Sequence, residues 1–284
     1  MKLESIHVVQ WFLYEQQTVR LDEITGFFGP NASGKSSFLD AVQVAVFGAN
    51  SKLVSLNAQA DEHSKSSRTI RGYCLGQYGE LPEHRVRANA QTYVSLVWRD
   101  PQTGRPMTVG VALAASSDTE KLEVLGRYIA DGVEVSLTDH LTSHGDQQRP
   151  RDWKMFRGEL TRRVERVSGR TDELFYESAE KYIKALLTAM SRGKDMASME
   201  LFKRAFRFSL RLRYDKSVDE IIRQEVLEAR PTNIRVFMEV TATFRHLRQL
   251  VEGVKKQLVA GEEIDRAYVD ADKQHQRMGA WQIL

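Results

Sequence analysis

Along the first fifty residues, apolar positions fall in short runs rich in β-branched and aromatic side chains, and then switch to a helical period. Ser5–Leu13 (SIHVVQWFL) predicts a strand, Thr18–Leu21 a short partner, and Ile24–Phe28 (ITGFF) an apolar strand ending at Gly29. From Ser36 to Phe47, Phe38, Leu39, Val42, Ala45 and Val46 recur at helical spacings, and Gly48 suits the helix C-terminus. The text from Ala49 to Ala90 is polar and irregular and predicts long loops around short elements. Strands return at Thr92–Trp98, Met107–Ala114 and Leu122–Ile129, with turn signals at Asp100-Pro101, Gly104 and Asp131-Gly132, so an antiparallel meander is expected. Residues 139–152 predict a polar loop. Trp153–Val167, Asp172–Met190 and Met199–Tyr214 have helical composition.

The last segment differs in kind. After Pro231, the apolar residues Phe237, Val240, Phe244, Leu247, Val251, Val254 and Leu258 alternate steps of three and four, the seam of a coiled coil about three heptads long. Arg245, Arg248, Glu252, Lys255 and Lys256 fall between them and would face solvent. The alternative is a long amphipathic helix packed on its own domain. The expected division is therefore a folded domain over 1–230 and the start of a coiled coil over 231–284.

Charge changes this picture little. Lys and Arg number 41 against 38 Asp and Glu, and a net charge of +3 does not by itself establish a nucleic-acid partner. The one cysteine, Cys74, excludes an internal disulfide, and nothing beside it resembles a metal-ligand cluster. There is no apolar run approaching about 18 residues and no secretion-signal core, so a cytoplasmic protein with no membrane partner is expected.

Between the predicted strand ITGFF and the predicted helix lies Gly29-Pro30-Asn31-Ala32-Ser33-Gly34-Lys35-Ser36-Ser37. It fits GxxxxGK[ST] through Gly29, Gly34, Lys35 and Ser36. In such a loop the glycines let backbone N–H groups approach phosphate oxygens and the helix start adds its positive end. Lys35 reaches the β and γ phosphates of ATP, and the Ser36 hydroxyl serves Mg2+. Asn31, Ser33 and Ser37 complete the set of loop residues expected against the nucleotide.

The N-terminal strand ending in Trp-Phe, the hairpin back, and ITGFFGPNASGKSSFLDAVQVAVFG together resemble the amino-terminal half of an SMC-like ATPase head, an ABC-type fold. Ala32 stands where that family commonly has the inner glycine. Ser67–Gly76 (SRTIRGYCLG), Phe202–Ala205 and Ile221–Glu228 resemble the Wadjet JetC and MksB branch. The resemblance is strong over 1–90, weaker over 199–258 and thin between. It implies an α/β fold, an ABC-type P-loop head lobe with a mixed sheet, an antiparallel meander and a helical lobe, leading into a coiled coil. It also implies an arginine after the loop helix that contacts nucleotide, carried over to Arg71 with Arg68 as second choice; the alternative is a loop arginine paired with a surface carboxylate. The implied partners are the carboxy-terminal half of the same protein, a second copy through a distant hinge, kleisin-type and winged-helix (KITE-type) subunits, DNA and, in Wadjet, a nuclease. Two rivals stand beside this reading: the ABC ATPase of an OLD-type nuclease, and a non-catalytic nucleotide-binding module.

Hydrolysis in this fold needs four apolar residues followed by Asp-Glu, and a signature loop from the opposing head. Neither occurs in the sequence; Tyr128-Ile129-Ala130-Asp131-Gly132 comes nearest and reads as a turn between strands. No catalytic residue is therefore assigned, and this chain alone is expected to be inactive as an ATPase. The family's Mg2+-sensing glutamine is left unassigned, Gln147 and Gln148 being possible by position only.

Two basic groups qualify as phosphate-neutralising surfaces. The first runs from Arg149 to Arg170 and is equally well read as a solvated face. The second, Lys203, Arg204, Arg207 and Arg211, lies along one predicted helix with Phe202, Phe206 and Leu210 beside it, and is assigned to DNA, the alternative again being a solvated charged face. His140 and His144 have the spacing of metal ligands on a helix but fall in a predicted polar loop without a third ligand, and are read as ordinary loop histidines.

Overall fold

The computed structural model describes residues 1–30, 33–56, 68–79, 81, 83–145, 147–169, 174–191, 199–210 and 234–281. The chain divides into two units, Met1–Leu227 and Glu228–Leu284.

The first unit is built on a six-stranded sheet in the order β2-β1-β3-β4-β5-β8, formed by β1 (Lys2–Trp11), β2 (Tyr14–Arg20), β3 (Asn89–Arg99), β4 (Pro106–Ser116), β5 (Glu123–Asp131) and the short β8 (Phe175–Tyr176). The meander β3-β4-β5 is present as expected. Every pairing in this sheet is antiparallel, so the expected mixed character does not appear among the described residues. Alternation along the strands divides the side chains between two cores. Ile6, Val8, Val94, Leu96, Val109, Val111 and Leu113 face one way and are buried by α1 (Lys35–Val46), α2 (Ile70–Leu75) and α4 (Ala179–Ser191). Val9, Tyr93, Ala112, Tyr128 and Ala130 face the other way and are buried by α3 (Trp153–Ser168) through Phe156, Leu160 and Val164.

The phase of β1 shifts near its end. Gln10 has φ of 49°, and the pairing with β2 passes from Val9↔Gln16 to Trp11↔Tyr14. The left-handed Gln10 turns Trp11 onto the face of Ile6 and Val8, where it is fully buried against α1, while the register with β2 is kept.

Ile24–Phe28 is not a strand. Ile24 and Phe28 are each 94% exposed, and the segment pairs with no strand among the described residues. Strand propensity reflects packing on a pleated, half-buried surface, and without a neighbouring ladder the same side chains point into solvent. Residues 139–152 are not a plain loop either. A single 3-10 turn at Leu137–His140 leads into a hairpin of β6 (Leu141–His144) and β7 (Gln147–Pro150).

The turn carries His140 into the second core. The ring is 0% exposed, Nε2 lies 2.7 Å from Ser95 Oγ, and the faces of Tyr93 and Phe156 are each 4.8 Å away. Ser95 Oγ also meets Tyr128 Oη at 2.6 Å. The register His7↔Ser95↔Gly110↔Tyr128 aligns these groups across one sheet face, and Gly110 is required because a Cβ there would overlap the Tyr128 hydroxyl. His140 is thus a core histidine rather than an exposed loop one. The His144 side chain lies outside the described residues. Cys74 is buried, and burial pushes its thiol up to about 12, which leaves it inert.

The helix α5 (Met199–Leu210) packs Phe202 and Phe206 on Phe47 at the end of α1, with centroids 5.9 and 5.1 Å apart. The second unit contains one continuous helix, α6 (Ile234–Trp281), of 48 residues. Its seam residues Phe244, Leu247, Val251, Val254 and Leu258 are 51–70% exposed. The side chains of Phe237 and Val240 lie outside the described residues.

Candidate nucleotide-binding site

The loop between Phe28 and α1 closes at Gly34, whose φ of 90° is open to glycine at little cost. The space that a Cβ would need there is already filled by the hydroxyl of Tyr14. The helix begins at the next residue with no side-chain cap, so the N–H groups of its first turn have no intrahelical acceptor and carry its positive end. Lys35 Nζ turns back over the loop and donates to Gly29 O and Pro30 O, both at 2.7 Å, and to Ser33 Oγ at 3.3 Å. Gly29, Ser33, Gly34, Lys35, Ser36 and Ser37 are thereby brought together at one helix start, as the sequence places them. Asn31 lies outside the described residues.

The sheet holds this helix by its first two turns. Trp11 Nε1 donates to Ser37 O at 2.7 Å, and the indole stacks on Tyr73 of α2 at 4.7 Å with planes 5° apart. Tyr73 Oη donates to Asp40 Oδ2 at 2.5 Å, and Gln43 Nε2 donates to Asp40 Oδ1 at 3.0 Å. Burial and the neighbouring Asp40 carboxylate push the Tyr73 hydroxyl up to about 12, so it remains a donor at neutral pH. Arg68 Nη1 donates to the same Tyr73 oxygen at 3.2 Å, and its guanidinium lies over the rings of Phe12 and Tyr73. A cleft of about 160 Å³ opens here, lined in part by Phe12, Arg68, Gln77 and Tyr78.

The turn between β1 and β2 is itself clamped. Arg87, buried, donates to Phe12 O at 2.9 Å, Cys74 O at 3.0 Å and Tyr14 O at 3.1 Å, and pairs with Glu15 at 2.7 Å. The far end of α1 is fixed by Tyr182 Oη donating to Ala45 O at 2.9 Å and by Arg127 Nε donating to Gly48 O at 2.6 Å.

Residues 3–63 match the P-loop containing region of AAA domain. No curated protein matches the chain. The match covers β1, β2, the loop and α1, and with the loop geometry it identifies a P-loop ATPase-like amino-terminal region suited to binding nucleotide.

The other expected site residues fall elsewhere. Arg71 turns to the end of β4, donating to Ser116 O at 2.7 Å and Ser117 O at 3.4 Å. Arg68, three residues before it, is the arginine of this segment joined to the α1 network through Tyr73. On α5, Lys203 is half-buried and pairs with Glu200 at 3.1 Å, whereas Arg204 is exposed. Arg207 lies on the same helix with its side chain outside the described residues, and Arg211 is outside them altogether. Among the described residues there is no group of three or more potential metal ligands, and no helix is long and apolar enough to cross a membrane.

Trp11, Tyr14, Asp40, Tyr73 and Arg87 were not singled out from the sequence. Trp11 and Tyr14 carried a signal in the unbroken WFLY at the strand end, which departs from strict alternation and marks a tight turn.

Proposed function

We propose that the chain is the nucleotide-binding amino-terminal segment of an SMC-like ATPase head that acts on DNA, of the kind found in Wadjet-type plasmid defence or MksB-type chromosome organisation. The observation that carries the reading is the phosphate loop itself: left-handed Gly34, the uncapped start of α1 and Lys35 turned over the loop carbonyls. These groups fit the phosphates of ATP. Ser36, the first hydroxyl after Lys35, would hold Mg2+, which supplies charge neutralisation between the phosphates.

Two further features support the larger assignment. Ile24 and Phe28 stand 94% exposed beside the loop, as expected of a strand that pairs with the carboxy-terminal half of the protein. The exposed seam of α6 is what a partner helix in a coiled coil would cover. Asp131, which ends the run nearest to a Walker B strand, is paired with Arg105 at 2.9 Å on an antiparallel strand. In this reading ATP joins two heads and hydrolysis releases them, with the catalytic carboxylate contributed by the carboxy-terminal half.

The test is steady-state ATP turnover by the 284-residue chain alone and after addition of the carboxy-terminal half. The reading predicts no turnover alone and turnover on addition. Turnover by the chain alone that Lys35→Ala abolishes would contradict it.

A further inference from the structure

We propose that Tyr14 is a phosphate ligand of this site, its phenolic hydroxyl donating to a phosphate oxygen of the bound nucleotide. The proposal rests on the nucleotide reading of the loop and adds a residue that the GxxxxGK[ST] pattern does not contain.

Tyr14 opens β2, far from the loop in sequence, yet its hydroxyl occupies the space beside Gly34 that any side chain at that position would take. Its ring lies against Phe38 in the first turn of α1, centroids 4.6 Å apart. The hydroxyl thus stands against the last loop residue before the uncapped helix amides, with Lys35 Nζ held by Gly29 O and Pro30 O of the same loop. Among the described residues the hydroxyl donates to Ser33 O alone, at 3.4 Å, longer than an ordinary O–H···O bond. A donor held in place but so weakly engaged is ready to turn to a charged oxygen, with which a hydrogen bond is shorter and stronger.

The delivery is rigid. Arg87 fixes the Tyr14 and Phe12 carbonyls, and the neighbouring Trp11 is bonded to Ser37 O, so the hairpin turn and the helix start move as one body. Burial raises the Tyr14 pKa, which keeps the phenol protonated and a donor.

The experiment titrates the whole 284-residue chain and its Tyr14→Phe variant calorimetrically with ADP and with inorganic pyrophosphate. Pyrophosphate isolates the phosphate contacts from those of base and ribose. The expected result is about tenfold weaker binding of both ligands by Tyr14→Phe, with unchanged helical circular dichroism and melting, because the ring that packs on Phe38 is kept. Equal affinity of variant and wild type for pyrophosphate overturns the proposal, and so does a loss confined to ADP, which would place the hydroxyl on the nucleoside. A loss of affinity that comes with a loss of helical signal also counts against it. If the wild type binds neither ligand, the phosphate-loop reading falls first; if it binds both and Tyr14→Phe binds equally well, the role of Tyr14 alone falls.

Discussion

Acid should destabilise the first unit through one buried ring, and His140→Gln should remove that sensitivity. His140 is wholly enclosed, and burial, reinforced by the nearby positive charge of His7, pushes its pKa down to about 3; Asp139 opposes the shift, while Arg151 and Arg163 add to it. In the unfolded chain the same imidazole titrates near 6.5. The unfolded state therefore takes up the proton first as pH falls. The contribution of neutral His140 is complete above about pH 6.5 and is lost progressively down to the folded value near 3. At about 1.4 kcal/mol per pH unit, the loss between pH 8 and pH 5 is about 2 kcal/mol. The geometry agrees with this direction: among the described residues Nδ1 is buried without a partner, Nε2 is taken by Ser95, and the ring packs against those of Tyr93 and Phe156. Urea unfolding at pH 8 and pH 5, followed by circular dichroism, gives the two free energies for wild type and variant. His7 also titrates below its usual value, but it is common to both proteins and cancels to first order in the comparison. The wild type should lose about 2 kcal/mol more than His140→Gln over this range. Parallel pH dependences would refute the reasoning, since His140 would then be reaching solvent or a proton acceptor.

The two arginines of the α2 segment should separate into different phenotypes. Arg71→Ala should lower stability by about 1–3 kcal/mol, by removing the charged donor from Ser116 O, and leave ADP affinity unchanged, whereas Arg68→Ala should weaken ADP binding with little effect on melting. The reverse pattern in calorimetric titration and thermal melts would restore Arg71 to the nucleotide. For DNA, the triple change Lys203→Gln, Arg207→Gln and Arg211→Gln should weaken binding of unrelated duplexes alike and flatten the dependence of log affinity on log salt by about 0.9 per lost phosphate contact. An unchanged salt slope in fluorescence anisotropy would return this helix to a structural role, in keeping with the Lys203–Glu200 pair and the packing of Phe202 and Phe206 on Phe47.

What could be read from the sequence was local. The phosphate loop depends on glycines, a lysine and a hydroxyl at fixed spacing, and the α1 pattern of Phe38, Leu39, Val42, Ala45 and Val46 depends on a period, so both were legible. The meander was legible from its turn residues for the same reason. Ile24–Phe28 was misread because strand formation needs a partner, and no local pattern reveals whether one is supplied. His140 was misread because its neighbours Asp139 and Thr138 are polar, while its burial comes from Tyr93, Ser95 and Phe156, each remote in sequence. The support around the loop was missed for a related reason: Trp11 and Tyr73 meet α1, and Arg87 meets the β1–β2 turn, from places remote in sequence, and the left-handed Gln10 changes which face Trp11 occupies. Arg71, inside the six-residue α2, turns to Ser116 O, whereas Arg68, just before its N-cap, reaches Tyr73, a difference that no local spacing reveals.

The central claim is that the Gly29–Ser37 loop binds nucleotide phosphates, and calorimetric titration of the purified chain with ATP and Mg2+, for wild type and Lys35→Ala, tests it most directly. The account predicts saturable one-to-one binding by the wild type and none detectable by Lys35→Ala, with identical circular dichroism spectra, because the Lys35 ammonium hydrogen-bonds to Gly29, Pro30 and Ser33 of the loop itself. A wild type that does not bind, or a Lys35→Ala variant that binds equally well, would contradict it.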